Sequence, residues 1–459
     1  MNKPFDPAVR DFLDGRIWLR QHTPFLMEKI DEHIKKGMIE TIPGVTMKKG
    51  TFGQPDCKCA RCENEDSHLF TSFHCLRCEG PCAYCRNCLQ MGRVSVCTEL
   101  IIWKGPQSEY PTEHALAWEG TLTKHQKQAS EELYESTVKA RPHLIHAVCG
   151  SGKTEILFEP IHKLLTAGKR VCIAAPRVDV ILELEPRLRA AFPSTKLEAL
   201  YGGADVKAFD AQLILATTHQ LYRFRHAFEV IFVDEADAFP YTAEKTLQHA
   251  VRKAAKPEAP IHFVTATPSD KLLAEIKKMG AVSTIYRRYH GHPLPEPRTE
   301  PLWNYSKQLS KGKLPKALEK WITKRLDQNE PFLVFFHEIE LMMKAEKAFR
   351  QLDDRIRAVY SAHPDRKQHV QDLRAGTIPG LLTTTILERG ITIKNIQVAV
   401  VGAEQSIFDS GALVQIGGRV GRNVNHPSGD FVLFHNGISY AMDGARREIN
   451  RLNSGGEPK

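Results

Sequence analysis

The sequence predicts two parallel-sheet α/β domains in series, preceded by a cysteine-rich module. Short apolar or β-branched runs alternate with longer amphipathic stretches over residues 110–290, and the same rhythm returns over 302–455. The first series contains HLIHAV, RVCIAAP, AQLILATT, VIFVDEAD and IHFVTATP, and the second contains FLVFF, IRAVYS, GLLTTTI, VAVVGA and FVLF. A chain of 459 residues is also too long for a single hydrophobic core.

Changes of composition give the predicted boundaries. Residues 1–54 are predicted to be a helical segment, because FLMEKIDEHIKKGM has helical spacing, and residues 55–98 are the cysteine-rich module. The segment 291–301, GHPLPEPRTEP, has four prolines, which predicts a linker between the two α/β domains.

Charge and hydropathy narrow the functional class. The net charge of +9 and the isoelectric point near 8.9 favour an anionic partner. No stretch approaches the ~18 consecutive apolar residues of a spanning helix, and the first residues contain no apolar core of a signal peptide. We therefore expect a cytoplasmic location.

A phosphate-binding loop is predicted at AVCGSGKT, residues 147–154. The stretch matches G-x-x-x-x-G-K-[ST] with alanine at the first position, and it follows an apolar strand and precedes a helical pattern. Backbone N–H groups of Gly150, Ser151 and Gly152 would hold phosphate oxygens. Lys153 would neutralise the β- and γ-phosphates, and the Thr154 hydroxyl would contact Mg²⁺.

A carboxylate pair supplies the second half of this predicted site. The run VIFVDEADAF delivers Asp234 and Glu235 at the end of an apolar strand, where α/β sheets bind ligands. Asp234 would hold the metal ion and Glu235 would polarise the attacking water. Together with the loop, the pair predicts a nucleoside triphosphatase that uses ATP and Mg²⁺.

The order of further motifs over about 120–425 resembles superfamily 2 helicases and translocases. LTKHQKQAS is similar to the glutamine motif of that family, which implies that Gln126 reads adenine. The stretches APRVDV, ATTHQL, DEAD, TATP, TTTILERGITI (383–393) and QIGGRVGR (415–422) follow in the family's order. The resemblance implies two tandem RecA-like domains.

The resemblance also assigns residues to roles. Gln415, Arg419 and Arg422 would complete the ATP site from the second sheet, with one arginine acting as a finger on the γ-phosphate. Nucleic acid would lie across both sheets in a manner independent of base sequence. Contacts with its backbone are expected from four residues: Arg177, Thr217, Thr218 and Thr385.

Eight cysteines crowd between residues 57 and 88, which in a reducing compartment predicts metal binding rather than disulfides. C-x-x-C pairs let one turn offer two thiolates to a tetrahedral ion. One or two structural Zn²⁺ ions are expected, and the pairing of the ligands stays open. The predicted ligands are Cys57, Cys59, Cys62, Cys75, Cys78, Cys82, Cys85 and Cys88, whereas Cys97, Cys149 and Cys172 lie outside the block.

A cysteine module before a two-sheet ATPase, with YCRNCLQMGR, PRVDV, THQLYRF and GGRVGR, resembles the ComFA family of late competence proteins. The resemblance implies a motor that binds single-stranded DNA and helps to draw it into the cell during natural transformation. It further implies a place at the inner face of the cell membrane and three protein partners, ComFC, DprA and the channel ComEC. A homo-oligomer is left open.

Three alternatives compete with this interpretation. A DEAD-type RNA helicase shares the tetrapeptide 234–237, but PRVDV and QIGGRVGR differ from the motifs expected in that group. The primosomal restart helicase shares PRV and a zinc cluster, although its cysteines interrupt the second motor domain. The non-enzymatic alternative is a zinc-bearing adaptor that binds DNA, against which the intact ATP-site residues argue.

Overall fold

The computed structural model describes residues 4–49, 55–204, 210–389 and 392–455. Contacts divide the chain into two compact units. The first unit comprises Met1–Leu122, Lys127–Ile145 and Thr154–Ser283, and the second comprises Thr123–Gln126, His146–Lys153 and Thr284–Lys459. Residues 390 and 391, within the predicted motif at 383–393, lie outside the described residues.

The N-terminal part of the first unit is a small α/β layer. Helices α1 (Pro7–Leu13) and α2 (Met27–Lys35) accompany an antiparallel sheet with the order β1-β8-β2. Its strands are β1 (Ile17–Leu19), β2 (Ile39–Pro43) and β8 (Glu99–Trp103). The segment expected to be helical therefore also contributes strands, because β1 and β2 both pair with β8, which follows the cysteines in the sequence.

The cysteine-rich region consists of two small antiparallel sheets. One pairs β3 (Val45–Lys49) with β4 (Pro55–Cys59). The other joins three strands in sequence order: β5 (Phe70–Cys75), β6 (Gly80–Cys85) and β7 (Val94–Ser95).

A seven-stranded sheet with the order β11-β12-β10-β13-β14-β9-β15 follows. Its strands are β9 (His143–Ala147), β10 (Val171–Ala175), β11 (Leu197–Leu200), β12 (Leu213–Thr217), β13 (Val230–Asp234), β14 (Ile261–Thr265) and β15 (Ala281–Ile285). The accompanying helices are α3 (Lys124–Val138), α4 (Lys153–Thr166), α5 (Val178–Ala191), α6 (Lys245–Ala254) and α7 (Asp270–Met279). Strands β10 and β13 are buried at every residue, as expected for a parallel sheet covered on both faces.

The second unit is built on a six-stranded parallel sheet with the order β16-β21-β20-β17-β19-β18. Its strands are β16 (Arg298–Pro301), β17 (Phe332–Phe336), β18 (Arg357–Val359), β19 (Gly380–Thr383), β20 (Gln397–Val401) and β21 (Phe431–His435). Its helices are α8 (Tyr305–Ser310), α9 (Lys316–Asp327), α10 (Ile339–Arg350), α11 (Arg366–Ala375), α12 (Ser410–Gly417) and α13 (Tyr440–Asn453).

Strand β16 lies inside the segment that the sequence marks as a linker. Proline is compatible with a strand at the edge of a sheet, where its missing N–H does not break a central ladder. β16 is such an edge strand and ends at Pro301. Among the described helices, none combines the length and the hydropathy needed to cross a membrane.

Candidate nucleotide site and metal centres

The predicted phosphate loop connects strand β9 to helix α4. Gly150 and Gly152 have φ values of +80° and +75°, a left-handed conformation that glycine adopts without a steric penalty. The hydroxyl oxygen of Ser151 is buried and has no hydrogen-bond partner within the described part of the chain. A left-handed glycine turn with an unsatisfied buried hydroxyl at a helix N-terminus fits a bound phosphate group.

The side chain of Gln126 is hydrogen-bonded to this loop. Its Nε2 donates to the carbonyl oxygen of Ser151 across 2.6 Å, and its Oε1 accepts from the N–H of Thr123 across 2.7 Å. Each end of the side-chain amide keeps one further hydrogen-bonding position. That capacity is compatible with adenine recognition, which stays a prediction.

The carboxylates of the DEAD tetrapeptide lie in the first unit, at the carboxyl end of β13. Asp234 is 8% exposed and accepts the N–H of Glu235 across 3.0 Å. The neighbouring Asp237 is tied to the TATP stretch, because the Thr265 hydroxyl donates to one oxygen and Thr267 Oγ1 donates to the other across 2.5 Å. Sequence motifs separated by about thirty residues thus share one hydrogen-bonded cluster.

Helix α12 and the loop after it carry the predicted arginine motif. Within the second unit, the thiol of Cys149 donates to Gln415 Oε1 across 3.0 Å, so the phosphate loop and this motif are in contact. Arg419 is 2% exposed, and Arg422 Nε donates to the carbonyl oxygen of Gly418 across 3.0 Å.

Sequence reasoning missed Arg288, a third arginine beside the loop. Its Nη1 donates to the Gly421 carbonyl oxygen across 2.7 Å. A Cβ added at Gly150 would lie 3.7 Å from Arg288 Cγ and 3.8 Å from Arg422 Cγ. Burial lowers the pKa of Arg288 to about 10, so the side chain still carries its charge at neutral pH. Because Arg288 lies outside the recognisable motifs, only its position in the fold reveals it.

The residues predicted to contact nucleic acid differ in exposure. Arg177 precedes α5 and Thr385 begins a short 3₁₀ turn after β19, and both are partly exposed. Thr217 and Thr218 are 4% and 0% exposed. Neither threonine reaches the surface to a useful extent, so their assignment as contacts with nucleic acid stays a prediction.

The cysteines form two groups of four, and in each group the sulfur atoms all lie within 4.8 Å of one another. A tetrahedral zinc–thiolate site with bonds near 2.3 Å requires sulfur separations of about 3.8 Å. The separations are 3.8 Å for Cys59–Cys88 and 3.5 Å for Cys62–Cys85, and Cys97 lies 3.9 Å from both Cys75 and Cys82. The donor sets therefore fit two structural Zn²⁺ ions. The groups are Cys59, Cys62, Cys85 and Cys88, and Cys75, Cys78, Cys82 and Cys97.

These groups differ from the predicted ligand set at two positions. Cys97, which the sequence analysis leaves outside the block, joins the second group because β7 pairs with β6 and brings the following residues to it. Cys57 lies on β4 and belongs to neither group among the described residues. The pKa of Cys75 is lowered to about 7, chiefly because the N–H of Cys78 donates to its sulfur, which favours the thiolate that a metal requires.

A buried lysine joins the first cysteine group to the seven-stranded sheet. Lys253 is on α6, and its Nζ donates to the carbonyl oxygen of Arg61 and to that of Tyr222, the latter across 3.1 Å. Burial lowers the pKa of Lys253 to about 8. The side chain of Arg61 in turn donates to the Cys88 and Gly92 carbonyl oxygens, each across 2.6 Å. The cysteine group is thus fixed to the segment Thr218–Arg223, which follows strand β12.

Three family models match successive parts of the chain. The model for the competence protein ComFA N-terminal domain matches residues 2–102, that for the type III restriction enzyme res subunit matches 119–270, and that for the helicase conserved C-terminal domain matches 313–424. The yeast Dbp5 structure bound to RNA and ADP BeF3 superposes with a TM-score of 0.53 at 13% identity, covering 73% of this chain and 93% of that one. This likeness confirms the predicted fold of two RecA-like domains.

Two curated relatives match nearly the whole chain. The competence protein ComFA of Bacillus subtilis is 40% identical over 453 residues, which is 98% of this chain and 96% of the relative. The competence protein ComFA of Streptococcus pneumoniae is 38% identical over 431 residues, which is 91% of this chain and 94% of the relative. The resemblance inferred from the motifs is confirmed, and the chain belongs to the ComFA family of competence proteins.

Proposed function

We propose that this chain is an ATP-driven motor that binds single-stranded DNA and draws it across the cytoplasmic membrane during natural transformation. The observation that carries the proposal is full-length similarity to two competence proteins combined with an intact phosphate loop of suitable backbone geometry. An adaptor without activity would need neither the left-handed glycines nor the paired carboxylates.

Each residue of the predicted nucleotide site would have its own role in ATP hydrolysis. The N–H groups of 150–152 and the Lys153 ammonium would hold the phosphates, and Thr154 and Asp234 would hold Mg²⁺. Bound ATP with Mg²⁺ supplies the phosphoryl group whose hydrolysis releases free energy. Glu235 would accept a proton from the attacking water, and the positive charge of Arg288, Arg419 and Arg422 would stabilise charge that develops on the phosphate oxygens.

The decisive measurement is ATP hydrolysis by the full chain, titrated with single-stranded DNA, duplex DNA and RNA at fixed salt, since salt alone changes such affinities strongly. Stimulation by single-stranded DNA above the other two is expected. Stimulation by RNA alone would favour the RNA-helicase alternative, and no hydrolysis under any condition would favour the adaptor.

A matched pair of lysine variants tests the site. Lys153→Ala should abolish turnover because it removes the charge that faces the transferred phosphoryl group. Lys169→Ala changes an exposed lysine just beyond the other end of α4 and should hydrolyse ATP normally. Near-normal turnover by the Lys153 variant would contradict the assignment.

Import itself needs a cellular measurement. In a transformable strain that lacks its own relative, expression of this chain should restore uptake of labelled DNA, and the Lys153→Ala form should not. The partners ComFC, DprA and ComEC and the position at the inner membrane face belong to the same proposal. Co-purification of the chain with each partner from that strain tests them.

A further inference from the structure

We propose that His363, Asp365 and His369 form a binding site for one divalent transition-metal ion, distinct from both cysteine groups. The three side chains offer one ligand atom each, and these atoms all lie within 4.8 Å of one another. The site belongs to the second unit and rests on no property of the nucleotide site.

The local fold brings the three residues together. Edge strand β18 ends at Val359, and the chain then turns into α11, with Asp365 at the helix N-cap position. The N–H of His369 donates to the Asp365 carbonyl oxygen across 2.9 Å, so His369 lies one helical turn after Asp365. His363 precedes the helix, and the centroids of the two imidazole rings are 5.3 Å apart.

The ligand groups are available for a metal. An N-cap aspartate normally accepts a hydrogen bond from the first turn of its helix, but Asp365 makes no side-chain capping bond. The Nδ1 atom of His369 is buried without a hydrogen-bond partner within the described part of the chain, and because it faces an outer carboxylate, Nε2 is the atom that the ring offers to the metal. Among the described residues, the one hydrogen bond to His363 Nδ1 comes from the Asp365 N–H across 3.2 Å, a weak bond that a metal could replace.

An outer carboxylate is positioned to orient one ligand. His369 Nδ1 lies 3.7 Å from an oxygen of Asp372, and Gln368 Nε2 holds the other Asp372 oxygen across 2.8 Å. With a proton on Nδ1 facing Asp372, the Nε2 atom of His369 is left for the metal. Carboxylates placed in this way fix the tautomer of metal-bound histidines and strengthen binding.

The donor set indicates the class of ion. Two imidazoles and one carboxylate suit Zn²⁺, Co²⁺ or Ni²⁺, whereas Mg²⁺ and Ca²⁺ prefer oxygen ligands alone. Three protein ligands leave a coordination position for water or for another oxygen ligand. Asp365 is exposed and both histidines are partly exposed, so an ion from solution can reach the site.

The test is a Co²⁺ titration of the full chain, with Zn²⁺ already filling the thiolate groups. Equilibrium dialysis followed by elemental analysis should give one cobalt per chain for the wild type, with zinc unchanged and without the intense sulfur-to-cobalt absorption of a thiolate site. His363→Gln, Asp365→Asn and His369→Gln should each remove that cobalt. Asp372→Asn should weaken binding by about 10- to 100-fold.

The control is His249→Gln. His249 is an exposed histidine on α6 whose Nδ1 lies 3.9 Å from a carboxylate oxygen of Glu63, and it belongs to no three-ligand group among the described residues. This variant should keep one cobalt. Cobalt retained by all three ligand variants, or absent from the wild type, would overturn the proposal. The titration uses neither ATP nor nucleic acid, so its failure is separate from a failure of the motor function.

Discussion

Lys253 Nζ lies 3.1 Å from the carbonyl oxygen of Tyr222 and also donates to the carbonyl oxygen of Arg61. The two acceptors belong to different parts of the first unit. Arg61 lies between two cysteines of the first group, and Tyr222 lies in the segment after strand β12. One buried ammonium group therefore fixes the position of the cysteine module relative to the sheet.

Replacing Lys253 should lower the stability of the cysteine-rich module and weaken its hold on Zn²⁺. Lys253→Met keeps the apolar stem but leaves two carbonyl oxygens without their donor, at a cost of about 1–3 kcal/mol for each buried group. We expect a lower unfolding temperature and faster loss of Zn²⁺ to a chelator, because a positive charge near the thiolates is also lost. Lys245→Met, an exposed change on the same helix, serves as control, and equal zinc release from both variants would contradict the prediction.

The membership of the two cysteine groups predicts that replacing Cys97 and replacing Cys57 will have different effects on the zinc content. Cys97→Ser should lower the zinc content from two ions per chain to one, because three thiolates hold Zn²⁺ less tightly than four. Cys85→Ser should do the same through the other group. Cys57→Ser should leave both ions in place, and elemental analysis after dialysis measures all three. A loss of zinc from the Cys57 variant would restore the ligand set expected from the sequence.

The threonines of the TATP stretch should affect hydrolysis through Asp237. Thr267→Val has nearly the same shape but removes a hydrogen bond to a carboxylate, which is typically worth about 1.5–3 kcal/mol. We expect kcat of DNA-stimulated hydrolysis to fall by roughly 10- to 150-fold, and the unfolding temperature to fall by a few degrees because the same bond also stabilises the fold. In a double-mutant cycle with Asp237→Asn the two effects should not add. Thr242→Val, at an exposed position, is the control, and additive losses would exclude the coupling.

Because two buried histidines have lowered pKa values, we expect the free energy of unfolding of the first unit to fall in mild acid. Burial lowers the pKa of His143 to about 4 and that of His262 to about 3. His143 is held between the hydroxyl oxygens of Ser136 and Ser283, at 2.8 and 2.9 Å. Below pH 6.5 the unfolded chain binds protons that the folded chain does not, so the free energy of unfolding falls with pH until the folded pKa is reached.

The expected slope is about 1.4 kcal/mol per pH unit for each histidine between its folded pKa and 6.5. Urea unfolding at pH 7.5, 6.5 and 5.5 measures it. His143→Leu should be less stable at pH 7.5, because two hydroxyls lose their partner, but it should show a shallower decline towards pH 5.5. An unchanged pH dependence in that variant would show that His143 does not contribute.

Much of the nucleotide site follows from local sequence. The glycines around Ser151 adopt left-handed angles where the chain turns from a strand into a helix within a few residues, and Asp234 is the last residue of its strand. These features depend on neighbours in the chain, so the motif predicts them. The apolar runs likewise predict buried parallel strands, because burial on both faces requires continuous hydrophobicity.

Other features depended on residues far apart in the chain. Arg288 approaches Gly150, and Cys97 rather than Cys57 completes a group of four. The proline-rich segment ends as an edge strand, and the segment expected to be helical pairs with β8. The sequence alone predicted the motifs of the nucleotide site and most of the strands in the two large sheets. Only tertiary structure decided which distant side chains meet, because such contacts depend on strand order and burial, which no local pattern specifies.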